Sequence, residues 1–466
     1  MKNRQNTKAV IDNIELIKEN KTHAKLYVIT SIYISIIFFT SFSAKAQEKW
    51  NLAKCIDYAI ENNIELNQSN NNTDLQRVNL NESKVKLLPT LNLGSGMNMS
   101  FGRNIDGNTN AITFDQTLSN NYWINSSIDI FQGLVNYHSI KLNKFLLLAT
   151  KEEDSYLKNK LALDVITSYY TVLYSKGIEE VALNQLALSE VQHIRMQKLV
   201  DIGREPQVTV LELKSQWASD KLILTQATNN YNKTLLELKQ LLRLDLSQDF
   251  SIDTISISSI LIAPIQNIDS LFNIAVNILP EIKQQEYLIK ASEKDLAVTK
   301  GRISPRIYMS LAYNTGYFDG DPLGYSDQIS NNQNQGINMG INIPIFNNAA
   351  TYSNIQRKNI ALKNRELDLQ KQKNVLYSEI WNAVEEMQSA EDEYHSAMEL
   401  YSFSELTLES ASKKLEAGLA SPTDYELAKQ RFISAKASLL KTKLIYMMRK
   451  QMLKFYQSGN WNHLQG

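Results

Sequence analysis

The run Ile380-Trp381-Asn382-Ala383-Val384-Glu385-Glu386-Met387-Gln388-Ser389-Ala390-Glu391-Asp392-Glu393-Tyr394 repeats a pattern every seven residues. The large members continue as Tyr401, Leu408 and Leu415, and small residues follow three places behind most of them, at Ala383, Ala390, Ala397, Ser404 and Ala411. The pattern breaks at Glu416-Ala417-Gly418-Leu419-Ala420-Ser421-Pro422-Thr423-Asp424 and then resumes. Its second arm has Tyr425, Phe432, Leu439, Tyr446 and Leu453, interleaved with Ala428, Ala435 and Thr442. A sustained heptad predicts a supercoiled seam, and the small members let the helix axes approach closely. Gly418 stops one helix, and Ser421 with Pro422 starts the next. The first arm, from about Asn347 to Glu416, is roughly 70 residues, or about 100 Å at 1.5 Å per residue. Such a helix needs a partner along its whole length.

Working outward, four landmarks recur in order. Ala59-Ile60 with Glu65-Leu66 matches Ala275-Val276 with Glu281-Ile282, and Leu88-Pro89-Thr90-Leu91 matches Ser304-Pro305-Arg306-Ile307, both at an offset of 216. Ile128-Asp129-Ile130-Phe131 matches Ile343-Pro344-Ile345-Phe346 at 215, and Glu212-Leu213 with Gln216 matches Glu426-Leu427 with Gln430 at 214. The chain is therefore read as a tandem repeat. Its segments are 1–46 (extension and leader), 47–246 (first repeat), 247–267 (linker), 268–457 (second repeat) and 458–466 (tail). The linker is expected to form a small accessory element beside the tail.

Each half reads helix, strand, loop, strand, long helix, turn, helix. The opening helices are placed at 52–85 and 270–299, the second with Pro280 beginning a new segment. Leu91, Leu93, Met97, Met99 and Phe101 alternate with Asn92, Gly94, Gly96, Asn98 and Ser100, which is strand period. A polar loop from Arg103 to Asn120 precedes a second strand from about Tyr122 to Phe131. The third strand carries Ile307, Met309, Leu311 and Tyr313 on one face, and a loop from Gly316 to Gln335 follows. The fourth alternates Ile337, Met339, Ile341, Ile343 and Ile345 with Asn338, Gly340 and Asn342.

Strands of about 10 residues with one apolar and one small or polar face suit a membrane barrel. Tyr122, Trp123, Tyr313, Tyr317 and Phe318 near the loop ends would form an interfacial girdle. Four strands cannot close, and an open edge is not tolerated in lipid. Other copies must complete the sheet, and three copies would give twelve strands.

Composition narrows the classes. The formal net charge is zero, with 49 basic and 49 acidic residues, so there is no nucleic-acid footprint. Outside the N-terminal segment there is no apolar run long enough for a membrane helix. The apolar run Leu26–Phe42 follows Lys21 and Lys25, and Ala44-x-Ala46 fits a leader cleavage site ahead of Gln47. Cys55 is the only cysteine, so no internal disulfide is possible. Lys54 stands where a lipidated cysteine wants a small residue, and Cys55 reads as buried on a helix face with Leu52, Ala59 and Ile60. The histidines His23, His138, His193, His395 and His463 lack metal spacing, and no phosphate loop or nucleophile elbow occurs. Neither an enzyme nor a bound cofactor or metal is expected.

The order of elements and the local wording resemble the TolC-like outer-membrane efflux protein family. Trp50-Asn51-Leu52-Ala53-Lys54-Cys55-Ile56-Asp57-Tyr58-Ala59 is similar to the family's mature start. Leu87-Leu88-Pro89 resembles its entry into the first strand, and Ile130-Phe131-Gln132-Gly133 its strand-to-helix exit. Leu415-Glu416-Ala417-Gly418-Leu419-Ala420-Ser421 resembles its periplasmic helix tip. The resemblance covers nearly all of the chain after residue 47.

It implies a mixed α/β membrane protein. A long α-helical barrel of coiled-coil hairpins would cross the periplasm, and four strands per chain would enter a 12-stranded trimeric outer-membrane β-barrel. It implies passive export of small molecules, with a periplasmic adaptor and an inner-membrane pump as partners. Gly203, Arg204, Gly418, Leu419, Ala420 and Ser421 would be the docking tips, and the inner helical pair would be the gate. The first tip, Ile202-Gly203-Arg204-Glu205-Pro206, departs from the small apolar turn of the second. Acidic residues past the second tip narrow the family's pore. Asp424 stands at a matching place, while Leu427 occupies a further one with Glu426 beside it. The other reading of Asp424 and Glu426 is first-turn residues favoured by the helix dipole. Two other functions fit parts of the pattern: a type I protein-secretion channel and a non-pore periplasmic coiled-coil scaffold, which has no need of the strands.

Overall fold

The computed structural model describes residues 49–105, 111–114, 116–245, 247, 249–253 and 267–459. The expected leader, most of the linker and the tail beyond 459 lie outside the described residues. The chain forms two compact units, the smaller being Met1–Trp50 with Ser247–Asp253. Its described part is one parallel bridge between Trp50 and Ile252. The Trp50 N–H donates to Ser251 O (3.0 Å), the Asp253 N–H donates to Trp50 O (2.9 Å), and the Phe250 ring meets the indole edge-on at 5.4 Å. Within this unit Ser251, Ile252 and Asp253 of the linker thus pair with Trp50.

The larger unit, considered by itself, is the duplicated body. Its first half runs α1 (Leu52–Asn62), α2 (Ile64–Val85), β1 (Thr90–Ser100), a small ribbon of β2 (Asn104–Ile105) and β3 (Ile112–Thr113), β4 (Thr117–Gln132), α3 (Val135–Asp201) and α4 (Gln207–Leu242). The second runs α5 (Ile268–Ile278), α6 (Pro280–Gly301), β5 (Arg306–Phe318), α7 (Tyr325–Asn331), β6 (Asn334–Asn342), α8 (Ala350–Glu416) and α9 (Pro422–Ser458). Helices α1 and α2 map onto α5 and α6 at both ends with an offset of 216 (268 − 52), and α3 maps onto α8 at both ends with 215 (350 − 135). The backbone obeys the same offset. Gly133 and Leu134 have φ of 60° and 59°, and Asn348 and Ala349 have 53° and 58°.

This sharpens the fourth sequence landmark. The tips Gly203 and Gly418 are 215 apart (418 − 203), so the offset of 214 over Glu212 and Glu426 is one residue short. Burial agrees, since Val210 and Leu213 are buried on α4 where Tyr425 and Ala428 are buried on α9. A shared Glu-Leu dipeptide disguised the register.

Three further expectations shift. The single opening helix at 52–85 is two helices, because Asn63 turns extended (ψ 127°) and its side chain accepts from the Leu66 N–H to cap α2. Its equivalent Leu279 (ψ 135°) precedes Pro280 at the first turn of α6, as expected of that proline. Strand β6 ends at Asn342, short of Ile343 and Ile345. Pro344 has no N–H to donate, and β5 begins only at Arg306, opposite Asn342. The loop after β5 contains α7, and its Gln328 side chain takes the place of a missing strand. The Phe318 N–H donates to Gln328 Oε1 (2.8 Å), while Gln328 Nε2 donates to Phe318 O (3.0 Å) and Leu323 O (2.8 Å).

The sheet is antiparallel in the order β1-β4-β5-β6. The pairings Leu93↔Ile124, Ile124↔Tyr313 and Leu311↔Ile337 place the paired leucines, isoleucines and methionines of the four strands on one face with Tyr122, Tyr313 and Tyr317, whereas Trp123 and Phe318, expected in the same girdle, fall on the other, because they stand at the alternate register positions opposite Gly94 and Ser119. The opposite face holds Asn92, Asn98, Asn121, Asn125, Asn314 and Asn338 among glycines and serines. Its one carboxylate, Asp129, accepts from Arg306 Nε at 2.8 Å. Trp123 covers Gly94, where an added Cβ would come within 2.5 Å of the indole.

The heptads close as read. Tyr394 of α8 stacks on Tyr446 of α9 at 5.9 Å, and Tyr401 meets Phe432 at 5.5 Å. A core at the level of α5 joins Leu271, Ala275, Leu279 and Ile282 to Leu376, Ile380, Val384 and Phe455. Beside it burial, with the charge of Glu379 adding, pushes the Glu281 carboxyl above 4.5, and burial pushes Glu379 up as well. A carboxyl raised in the folded state holds its proton where the unfolded chain has released it. Stability is then fullest below 4.5 and falls as pH rises through the folded values. Glu281→Gln is therefore expected to raise the thermal midpoint at pH 8 and to flatten its decline above pH 4.5. An unchanged slope would show that these groups are not linked to folding.

Candidate functional site

The two helical hairpins stop by the same device. At the first tip the Gly203 N–H donates to Val200 O (2.9 Å) and the Arg204 N–H to Leu199 O (2.9 Å). At the second the Gly418 N–H donates to Leu415 O (3.1 Å) and the Leu419 N–H to Lys414 O (2.8 Å). Both are paired 6→1 and 5→2 closures around a left-handed glycine, with φ of 72° and 71°.

The restarts differ. Pro206 begins α4 with no side-chain cap, whereas Ser421 and Asp424 cap α9 reciprocally. The Asp424 N–H donates to Ser421 Oγ (3.2 Å) and the Ser421 N–H donates to Asp424 Oδ2 (3.1 Å). The Ser421 hydroxyl and N–H, beside Asp424, hold its carboxyl below the usual carboxylate range. Asp424 is thus an exposed, ionised capping residue. It lines a groove of about 580 Å³ with Phe403, Leu406, Leu419, Leu427 and Arg431. Leu419 is 78% exposed, which leaves the tip with an apolar point.

Behind this tip lies a cluster that sequence reasoning missed. Lys429 of α9 and Asp220 of α4 are both fully buried, 3.7 Å apart. Lys429 Nζ donates to Ser189 Oγ of α3 (3.0 Å) and pairs with Glu426 at 2.7 Å. Asp220 accepts from the Ser189 hydroxyl, from Gln185 Nε2 (2.7 Å) and from Gln216 Nε2 (2.9 Å). A buried ion pair is tolerated only when its remaining valences are met; Ser189, Gln185 and Gln216 meet those of Asp220, while the buried oxygens of Glu426 have only the charge of Lys429. The cluster ties the hairpin α3–α4 to α9 of the other hairpin. Glu426, expected at a constriction, is engaged by Lys429.

One sequence signal could have found it. Asp220 falls at the seam position where the second repeat has Ala435, 215 residues on, and both residues are buried. A carboxylate in a column of small seam residues must have a partner. The partner's identity came from another helix and no spacing revealed it.

Among the described residues no helix is long and apolar enough to cross a membrane, and no group of His, Cys, Asp and Glu could hold a metal. Cys55 is buried as expected, and burial pushes its thiol up to about 12.

The chain matches the family model of outer membrane efflux proteins over residues 55–242 and 273–454. The two matches fall one within each half of the tandem repeat. A comparison with curated protein sequences finds no match. Among solved structures, CusC is similar with a TM-score of 0.76 at 17% identity, over 89% of this chain and 93% of that one. The outer membrane protein VceC from Vibrio cholerae gives 0.74 at 13%, over 88% and 97%. The CmeC outer membrane channel of Campylobacter jejuni gives 0.73 at 16%, over 88% and 86%.

Proposed function

Since the chain belongs to the outer membrane efflux protein family, we propose that it is the outer-membrane duct of a tripartite export system, passing small molecules passively. The observation that carries this reading is the sheet. Its apolar face is bare, with Leu93 79%, Met97 70%, Ile337 77% and Ile341 66% exposed, and among the described residues the outer edges of β1 and β6 have no partner strand. Only lipid suits that face, and only further copies suit those edges. Three copies close twelve strands, with the asparagine-rich face lining the lumen.

The long helices, 67 residues each in α3 and α8, extend about 100 Å from the barrel into the periplasm. Their tips, at Gly203 and Arg204 and at Gly418 to Ser421, meet a periplasmic adaptor, and an inner-membrane pump supplies the energy. Asp424 narrows the closed end. The gate is the inner pair α8–α9, held against α3–α4 by the Lys429 cluster.

Reconstitution in planar bilayers tests this. The full chain should conduct, and oxidising an Asp424→Cys variant should join copies at the tip and close it. A detergent-free monomer that never conducts would return the scaffold as the leading account. Conduction undiminished when two of the three copies are joined through Asp424→Cys would remove Asp424 from the constriction.

A further inference from the structure

The passage between helices and sheet repeats a chemical pattern. Lys84-Val85-Lys86-Leu87 stands at the end of α2, and Lys300-Gly301-Arg302-Ile303, 216 residues on, stands at the end of α6. Phe131 and Tyr137 recur as Phe346 and Tyr352 at an offset of 215. Each repeat thus sets two cations, an aliphatic side chain, a phenylalanine and a tyrosine around this passage. All of these side chains are exposed. The first-repeat set stays exposed although β5 already pairs with β4 and α6 already runs along α3.

The level of this belt follows from the sheet. Phe131 pairs with Ile307 on the apolar face, and Tyr122 and Tyr317 stand at the other end of that face. From Tyr122 to Phe131 β4 rises about 30 Å, or about 23 Å along the membrane normal at a tilt of about 40°. That fits an apolar band of about 25 Å, so the cations beyond Phe131 fall at the depth of lipid headgroups. The opposite end of the sheet has the opposite charge. Its loops, 101–121 and 319–333, carry Arg103 against Asp106, Asp115, Asp319, Asp321 and Asp327.

Around Arg302 the surface encloses a cavity of about 300 Å³, walled by Ile303, Ile345, Phe346 and Tyr352. Among the described residues no ion pair engages Arg302, whereas its repeat equivalent Lys86 is held by Glu82 at 2.9 Å. Glu82 has Val298 as its counterpart, so Arg302 lacks that partner. A cation at a helix C-terminus is ordinary, because it meets the negative end of the dipole. The dipole does not account for an apolar cavity beside an unpaired guanidinium.

We propose that this cavity holds an anionic phospholipid of the periplasmic leaflet. Its phosphate meets Arg302, with Lys300 adding charge, and an acyl chain lies against Ile345, Phe346 and Tyr352. The guanidinium fork matches two phosphate oxygens, and basic side chains at headgroup depth favour anionic lipid. The equivalent place in the first repeat is the weaker site, since Glu82 occupies Lys86.

The inference rests on the sheet lying in lipid. Its test is lipid titration of the full-length protein in detergent, read by native mass spectrometry and by thermal midpoint. Phosphatidylglycerol should be retained, and should raise the midpoint, more than phosphatidylcholine. Arg302→Gln should lower phosphatidylglycerol affinity about tenfold and abolish the preference, while Lys86→Gln should change it by less than about twofold. Phe346→Ser, at an 81% exposed position, should weaken both lipids alike. A preference that survives Arg302→Gln, or that Lys86→Gln removes equally, overturns the site. An equal rise from glycerol phosphate, which has no acyl chain, overturns it as well. Conductance of the same preparation tests the duct separately. Protein that conducts without the lipid preference overturns the site alone. Protein that neither inserts in bilayers nor conducts overturns the sheet in lipid and the site with it.

Discussion

Lys429→Met should both destabilise the protein and leave its channel leaky. The substitution strands Asp220, which is fully buried, without its cation. Removing one partner of a buried pair costs about 3–5 kcal/mol, because the remaining charge has lost its compensation. Ser189, Gln185 and Gln216 still donate to Asp220, which holds the loss toward the lower end. The same change severs the link from α9 to α3 and α4. Conductance in planar bilayers should rise several-fold as the inner pair is released.

A double variant separates the two effects. Lys429→Met with Asp220→Leu replaces the pair by apolar groups, which is often neutral or stabilising. It should recover most of the lost thermal stability and still conduct above wild type. If the double variant is stable and conducts like wild type, the cluster is a packing feature and the gate lies elsewhere.

The second large effect is expected where strand passes into helix. Gly133 has φ of 60°, and a Cβ there would lie 2.1 Å from the Gly301 carbonyl oxygen. The oxygen belongs to backbone at the end of α6, so it cannot swing aside. Gly133→Ala adds a left-handed alanine to that clash, for about 2–4 kcal/mol in all. Asn348, its equivalent in the second repeat, has φ of 53° and already carries a side chain. Asn348→Ala should cost about 1 kcal/mol from the backbone conformation alone. Denaturation midpoints of the two variants in the same detergent would check this. Equal midpoints would mean that the approach of α3 to α6 is looser than its geometry.

The asymmetry between these two positions shows how far the repeat can be read. The duplication was legible because each half must solve the same local problems. Pro89 and Pro305 break a helix before a strand, and Gly203 and Gly418 each supply the left-handed residue that ends a helix. The first-turn proline of α6 was legible for the same reason. The equivalent break at Asn63 was not, since asparagine is compatible with a helix interior until its side chain is seen to cap the next one.

The seams were read from the heptad, and Tyr394 against Tyr446 lies where that spacing put it. The Lys429–Asp220 pair escaped notice. Its members are 209 residues apart (429 − 220) and on different hairpins, so no periodicity connects them. Glu426 and Asp424 stand two residues apart in sequence and part in space. The helix turns one toward Lys429 and leaves the other exposed as a cap.

The sequence by itself determined the elements, their duplication and the two faces of the sheet, because period, turn chemistry and alternation act over a few residues. The tertiary structure alone decided what meets across helices: which charge is compensated, which glycine touches backbone, and which edges remain open. Those depend on contacts between residues hundreds of places apart, whose identities carry no local trace of one another.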